Sequence, residues 1–189
     1  MSDVKATLRQ TAYAARKAAF SARHESGAVA DATAHLLAEI GAPAGRVVTG
    51  YMPIRTELDP LPAMAALHAA GARVGVPVIA GKGRPLDFRE WAPGCTLTEG
   101  PFGAQIPGAG AWLVPDTLIV PLVGFDAACN RLGYGGGFYD RTLARLAARG
   151  PVRAIGFAYA AQRLPALPVM PTDIPLDAVV TEEGVARPR

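Results

Sequence analysis

The sequence predicts an α/β fold, a sheet with helices on both of its faces, and three observations predict it. Helix-like segments alternate with short apolar runs along nearly all of the 189 residues. The run Leu118-Ile119-Val120-Pro121-Leu122-Val123-Gly124-Phe125 is continuous and rich in β-branched residues, the pattern of a strand buried on both faces. A glycine-rich turn follows that strand and leads into an amphipathic helix, the place where α/β proteins hold phosphates.

In chain order, Asp3 to Arg23 and Gly27 to Ile40 are helix-like, Arg46 to Met52 is strand-like, Leu61 to Ala70 is helical and Arg73 to Ile79 is a strand. Leu86 to Trp91 reads as an extended edge segment, and Pro93 to Gly110 as an ordered loop able to line a cleft. After the Leu118 strand come a helix from Phe138 to Arg149, a strand from Val152 to Tyr159, a loop rich in proline and a last short strand, Ala178 to Thr181. There is no internal repeat and no linker long enough to split the chain. Residues 1–189, 50% hydrophobic and 19% charged, therefore read as one domain able to bury a sizeable core.

Composition excludes several classes. No apolar run approaches the roughly 18–20 residues of a membrane span, and MSDVKATLRQ lacks the apolar core of a signal peptide, which points to the cytoplasm. Cys95 and Cys129 are too few and too far apart for a zinc site or a disulfide framework, and both are expected reduced. The net charge of +3 suits an anionic small molecule. With 7% aromatic residues and no dense Lys/Arg tract it does not suggest nucleic acid. His24, His35 and His68 stand alone without metal-ligand spacing and read as solvated or partly packed.

The segment Arg131 to Arg141, RLGYGGGFYDR, carries most of the chemistry. Gly133, Gly135, Gly136 and Gly137 can take positive φ and let backbone N–H groups approach an anion with no Cβ in the way. The helix that follows adds its N-terminal N–H groups. Asp140, in its first turn, is either a Mg²⁺ ligand beside phosphates or a cap compensating the helix dipole. The loop is neither a Walker A sequence nor the dinucleotide fingerprint, so by itself it is a phosphate nest or simply a turn.

Two other segments could complete a site. In the first helix Lys5, Arg9, Arg16 and Arg23 fall within about 40° of one another at 100° per residue, beside an apolar stripe of Val4, Leu8, Ala15, Ala19 and Ala22. Such a ridge is a solvated surface, unless Lys5 and Arg9 supply the cations that a loop without a Walker lysine needs for a triphosphate. Tyr51 to Asp59 follows a strand and precedes a helix, so it can face the same crevice at the carboxyl edge of the sheet. Asp59 reads as an N-cap before Pro60, and Glu57 as a surface acid or a ligand contact.

These motifs, Lys5-x-x-Leu-Arg9, Y-x-P-x-x-x-E from Tyr51 to Glu57, P-x-x-x-F-D from Pro121 to Asp126, RLGYGGGFYDR, and Thr172 to Asp177 before the last strand, resemble in order the 5-formyltetrahydrofolate cyclo-ligase family. The resemblance implies a three-layer αβα sandwich around a mostly parallel sheet, of the type shared with sugar-phosphate isomerases and coenzyme A transferases. It also implies ATP- and Mg²⁺-dependent conversion of 5-formyltetrahydrofolate, with or without a polyglutamate tail, to 5,10-methenyltetrahydrofolate. On this sequence the residues resembling ATP contacts are Lys5, Ala6, Thr7, Leu8 and Arg9, and Arg131, Leu132, Gly133, Tyr134, Gly135, Gly136, Gly137, Phe138 and Tyr139. Lys5, Arg9, Arg131 and Tyr139 would act in catalysis. Asp140 and Asp173 resemble Mg²⁺ ligands. Arg9, Met52, Glu57 and the loop from Tyr134 to Phe138 would contact the folate.

The sequence departs from the family pattern in two places. Phe138-Tyr139 stands where a Tyr-Tyr pair is common, and Ile106 stands where many members carry an acid, which nearby Glu99 cannot be assumed to replace. Two other readings fit the same motifs. One is a different phosphate-handling enzyme on this scaffold, and the other is a folate-binding protein without turnover.

Overall fold

The computed structural model of the chain describes residues 2–188. In order its elements are α1 (Ser2–Ser26), α2 (Ala28–Ile40), β1 (Val47–Thr49), α3 (Leu61–Ala69), β2 (Arg73–Ile79), β3 (Leu86–Glu90), β4 (Leu97–Glu99) and β5 (Gln105–Pro107). There follow β6 (Trp112–Leu113), β7 (Thr117–Pro121), β8 (Gly124–Phe125), β9 (Arg131–Leu132), α4 (Phe138–Ala147), β10 (Arg153–Phe157), β11 (Ala178–Thr181) and β12 (Gly184–Ala186). The central sheet has the order β12-β11-β10-β7-β1-β2-β3-β6. Its five middle strands, β11 to β2, run parallel, while β12 pairs antiparallel with β11 and β3 antiparallel with both β2 and β6.

Alternation along the strands creates the layers, because successive side chains leave a strand on opposite faces. Ile119, Ile155 and Phe157 pack with Ala32 and Leu36 of α2 and Met64 and Leu67 of α3. Leu118, Val120 and Ala154 pack on the other face with Leu143 and Leu146 of α4. Both faces are covered, so β7 is apolar at successive positions, as its sequence predicts. Each fully buried Leu, Ile or Val contributes about 1.5–3 kcal/mol of apolar burial.

Several expectations change in detail. The run Leu118–Phe125 is two strands, because Pro121 offers no N–H and the chain turns at Leu122 and Val123. The buried amide of Gln162 occupies that turn, its Nε2 donating to Leu122 O at 2.9 Å and Val123 O at 3.0 Å. Leu86–Glu90 is not the sheet edge, since two-residue β6 lies outside it, and β11 is followed by β12. Within the loop from Pro93 to Gly110, β4 and β5 form a hairpin.

The packed face of α1 is the largest correction. Of the expected apolar stripe Leu8 and Ala19 are half-buried against the core, but Val4 is 53% exposed and Ala22 is exposed, whereas Ala12 is buried and Arg16 is 1% exposed. Its inward face therefore carries the basic ridge together with Leu8, Ala12 and Ala19. That happens because α1 lies on the chain just beyond the carboxyl ends of β7 and β10, against β8, α2 and the turn Ala160–Gln162. Ala12 packs there in a small cluster with Val123, Leu132 and Leu164.

Candidate active site

A cleft of about 910 Å³ opens at the carboxyl edge of the sheet. Three loops face it, the loop after β1, the loop between β9 and α4, and the passage leading from β10 to β11, and α1, β2, β3 and the β4–β5 hairpin complete its walls. The first two are connections of β-α-β units, which is why they meet at one edge.

The glycine loop is held at its start by the short β8–β9 ladder, which pairs Phe125 with Arg131 and Gly124 with Leu132. Asp126 closes that hairpin. Its carboxylate accepts from the N–H groups of Ala128 and Asn130 and the Asn130 amide, each at 3.0 Å, and from Leu167 N at 3.1 Å. Asp126 is therefore structural. Beyond it Gly135 has φ 99° and Gly137, which precedes α4, has φ 61°. Both conformations are ones that L side chains rarely adopt, and Gly137 turns the chain into the helix with no side-chain cap.

Cations surround this loop. Arg9 Nε donates to Gly133 O at 2.9 Å, and its guanidinium stands against Gly135. Lys5 Nζ pairs with Asp173 Oδ2 at 2.9 Å, and Met170 N–H donates to the same oxygen. Burial alone would raise the Asp173 carboxyl, but the Met170 N–H and Lys5 outweigh it and hold it below the ordinary carboxylate range. Arg131, with a side chain 6% exposed, donates to Ile174 O at 2.5 Å and pairs with Asp140 Oδ1. Ile174 N donates to that oxygen too, at 3.2 Å. These bonds leave Asp140 Oδ2 and Asp173 Oδ1 without hydrogen-bond partners among the described residues. No three His, Cys, Asp or Glu side chains gather into a metal cage among the described residues.

The other half of the cleft is mainly apolar, with Met52, Ile54, Ile79, Leu86 and Ile106 on its walls. Its acid is Glu57, 6% exposed. Glu57 Oε2 accepts from Ile54 N at 2.9 Å, and Oε1 accepts from the Tyr134 hydroxyl at 2.5 Å. Burial pushes its carboxyl above the usual range, while the Tyr134 hydroxyl, the Ile54 N–H and the charges of Arg16 and Arg55 pull it down. Asp59 instead caps the start of α3, accepting from Leu61 N at 2.9 Å. Tyr139 lines the cleft with a buried hydroxyl that has no hydrogen-bond partner among the described residues, and burial raises its phenol well above the ordinary range.

The profile of the 5-formyltetrahydrofolate cyclo-ligase family matches residues 1–182. The chain belongs to this family. It is 37% identical over 147 residues to the 5-formyltetrahydrofolate cyclo-ligase of Escherichia coli strain K12, covering 73% of this chain and 79% of that protein. It is 35% identical over 147 residues to the enzyme of that name from Mycolicibacterium smegmatis, covering 72% and 74%. Among solved structures, the 5,10-methenyltetrahydrofolate synthetase of Aquifex aeolicus superposes with a TM-score of 0.77 at 29% identity, covering 97% of this chain and 92% of that one. Membership in the cyclo-ligase family makes the chain a ligase, on a mixed α/β fold with a mostly parallel central sheet.

The cleft of this cyclo-ligase family member gathers most residues that the sequence singles out. Lys5, Arg9, Met52, Glu57, Asp173 and every residue from Arg131 to Asp140 line it. Ala6 and Thr7 are exposed on α1 outside that lining, and Leu8 packs beside the cluster of Ala12. Ile106 lines the cleft, and Glu99 is exposed outside it. Both cysteines are free. The residue whose place the sequence did not reveal is Arg16, which is buried behind Tyr134. Its signal is its place on the ridge of Lys5 and Arg9, about two turns beyond Arg9 on one helix face.

Proposed function

We propose that the chain catalyses ATP- and Mg²⁺-dependent cyclisation of 5-formyltetrahydrofolate to 5,10-methenyltetrahydrofolate, with release of ADP and phosphate. The observation that carries this reading is the single cleft, in which a cation-rimmed glycine loop adjoins an apolar pocket with one buried acid. A folate and a nucleotide can meet there without either crossing the protein.

The formyl oxygen is a poor leaving group, so N10 cannot close the ring on the formyl carbon directly. In the proposed sequence that oxygen attacks the γ-phosphorus of ATP in line, and the bond to the β,γ-bridging oxygen breaks, releasing ADP. The resulting iminium phosphate is attacked at carbon by N10. Its phosphate then departs with the former formyl oxygen, and N10 loses its proton. Such transfers depend on positioning and charge stabilisation. Lys5, Arg9, Arg131 and the loop N–H groups provide both around the phosphates, Met52 and Glu57 hold the pterin, and Tyr139 stands where the two halves meet.

Asp140 and Asp173 fit Mg²⁺, which takes one or two protein carboxylates and completes its shell with phosphate oxygens and water. Each offers one carboxylate oxygen without a hydrogen bond among the described residues, and Ile174, which follows Asp173, donates its N–H to Asp140. When bound, Mg²⁺ neutralises phosphate charge. Asn at either position is expected to raise the Mg²⁺ concentration needed for half-maximal turnover. An unchanged Mg²⁺ titration would remove that residue from the ligand set.

The glycine conformations give a second prediction. Ala at Gly137 must adopt φ near 61° and would meet Arg141 Nη1 at 2.8 Å, and Ala at Gly135 must adopt φ near 99° beside Arg9. Each is expected to lower kcat/KM for ATP by more than about fivefold, beyond the roughly 1 kcal/mol of an ordinary Gly-to-Ala difference. Near-normal ATP kinetics in both variants would count against the nest.

The reading as a whole is tested by following the methenyl product's near-ultraviolet absorbance, omitting ATP and Mg²⁺ in turn. Growth of the signal only when both are present supports the cyclo-ligase. Tight folate binding without turnover would leave the binding-protein reading instead.

A further inference from the structure

Arg16 is among the largest fully buried side chains of the protein, at 1% exposure, and it does not line the cleft. Burying a guanidinium is costly unless its donors and its charge find partners. The partners it finds belong to both halves of the site. Nε donates to Thr56 Oγ1 at 3.0 Å, next to Glu57 on the loop after β1. Nη1 donates to the Tyr134 hydroxyl at 2.9 Å, on the glycine loop. That hydroxyl has one proton, and it gives it to Glu57 Oε1 at 2.5 Å. The guanidinium also lies 5.3 Å from the Tyr13 ring centroid and 5.8 Å from that of Tyr134. The guanidinium, phenol and carboxylate thus form one relay, and the carboxylate supplies the counter-charge at one hydroxyl's remove.

We propose that Arg16 is a positioning residue that couples the two halves of the cleft, holding Tyr134 on Glu57 so that folate and nucleotide each strengthen the other's binding. Tyr134 is the one side chain between Gly133 and Gly137, so its hydroxyl fixes where the nest sits relative to the acid. A folate that engages Glu57 secures this arrangement, and the nucleotide then binds a loop already placed. By linkage the effect is reciprocal. The proposal rests on the folate and ATP assignment above.

The test is calorimetric titration of the full chain with 5-formyltetrahydrofolate, alone and with Mg²⁺ and a non-hydrolysable ATP analogue. The analogue is expected to tighten folate binding about fivefold or more in the unaltered protein. Tyr134→Phe keeps the ring and removes the relay's hydroxyl, and Arg16→Met removes its charge. In both the ratio of affinities should fall towards one. A second readout is the pH dependence of folate affinity. Glu57 faces Arg16 from α1, Arg55 from its own loop, and the phenols of Tyr51, Tyr134 and Tyr139. Removing the Arg16 charge should raise the Glu57 carboxyl, so the pH midpoint moves up, a shift that a purely structural role would not produce. Should Arg16→Met fail to fold, Tyr134→Phe carries the test alone. A ratio near one in the unaltered protein, or variants that keep its ratio and midpoint, would overturn the relay while leaving the cyclo-ligase reading standing. Absence of folate binding in the unaltered protein would overturn both.

Discussion

Glu57→Gln is expected to lower kcat/KM for 5-formyltetrahydrofolate by about 10²–10³, the ~2.7–4 kcal/mol lost with one well-placed group in a dry site. Binary affinity for ATP should stay within about twofold, because Glu57 touches no residue of the cationic rim. The carboxylate is buried, and its two oxygens are already oriented by Ile54 N–H and the Tyr134 hydroxyl. Stability should move the other way. Burial raises the folded-state carboxyl above its unfolded value. The native state therefore binds the proton more tightly, and stability falls as pH rises from the unfolded value through the raised one. Above that window the protein bears the cost of a buried charge that Arg16, Arg55 and two hydrogen bonds only partly offset, and Gln removes that net cost although it also removes the counter-charge of Arg16. A melting temperature retained or raised at neutral pH, together with lost folate turnover, is the expected pair of results. Unchanged folate kinetics would take Glu57 out of the site.

The second large effect is at Arg131. Its guanidinium joins Ile174 O on the passage before β11 to Asp140 in the first turn of α4, and it is nearly enclosed. Arg131→Met leaves the Asp140 carboxylate without its cation and Ile174 O without its donor. Removing one partner of a buried pair costs about 3–5 kcal/mol, and Asp140 is exposed enough at 25% to put the cost near the lower figure. At roughly 2–4 °C per kcal/mol for a chain of this size, the melting temperature should fall by about 6–12 °C. Adding Asp140→Asn should recover much of that stability, since the uncompensated charge is gone, without restoring turnover. Recovery of turnover in the double variant would show that neither Arg131 nor Asp140 serves the phosphates.

Much of this was legible in the sequence because the signals were local. The alternation of periods announces a sheet between helices, and the residues from Arg131 to Asp140 announce their own turn and helix start. What escaped depends on tertiary contacts. The segments Trp112–Leu113 and Gly184–Ala186, two and three residues long, are too short to show a period of two and become strands only beside β3 and β11. The break after Pro121 needs the amide of Gln162, 40 residues away. The packed face of α1 is only partly legible for the same reason, since Leu8 and Ala19 pack but Val4 and Ala22 are exposed. Helical periodicity groups Lys5, Arg9 and Arg16 correctly, but an apolar stripe is assumed to be the packed one. Here the surface under the helix joins an apolar patch of Val123, Leu132 and Leu164, which takes Ala12 and Leu8, to a loop carbonyl, a phenol and a carboxylate, which take Arg9, Arg16 and Lys5. The sequence could show that these cations share a face, but not that the face is turned inward.

The most direct measurement is the fate of a labelled formyl oxygen. If the cleft holds that oxygen in line with the γ-phosphorus, turnover of ¹⁸O-formyl substrate with MgATP should place one ¹⁸O in the released phosphate per methenyl product, and none in ADP. Methenyl product formed with unlabelled phosphate would contradict phosphorylation of the formyl group, and with it the in-line arrangement of the two halves of the cleft.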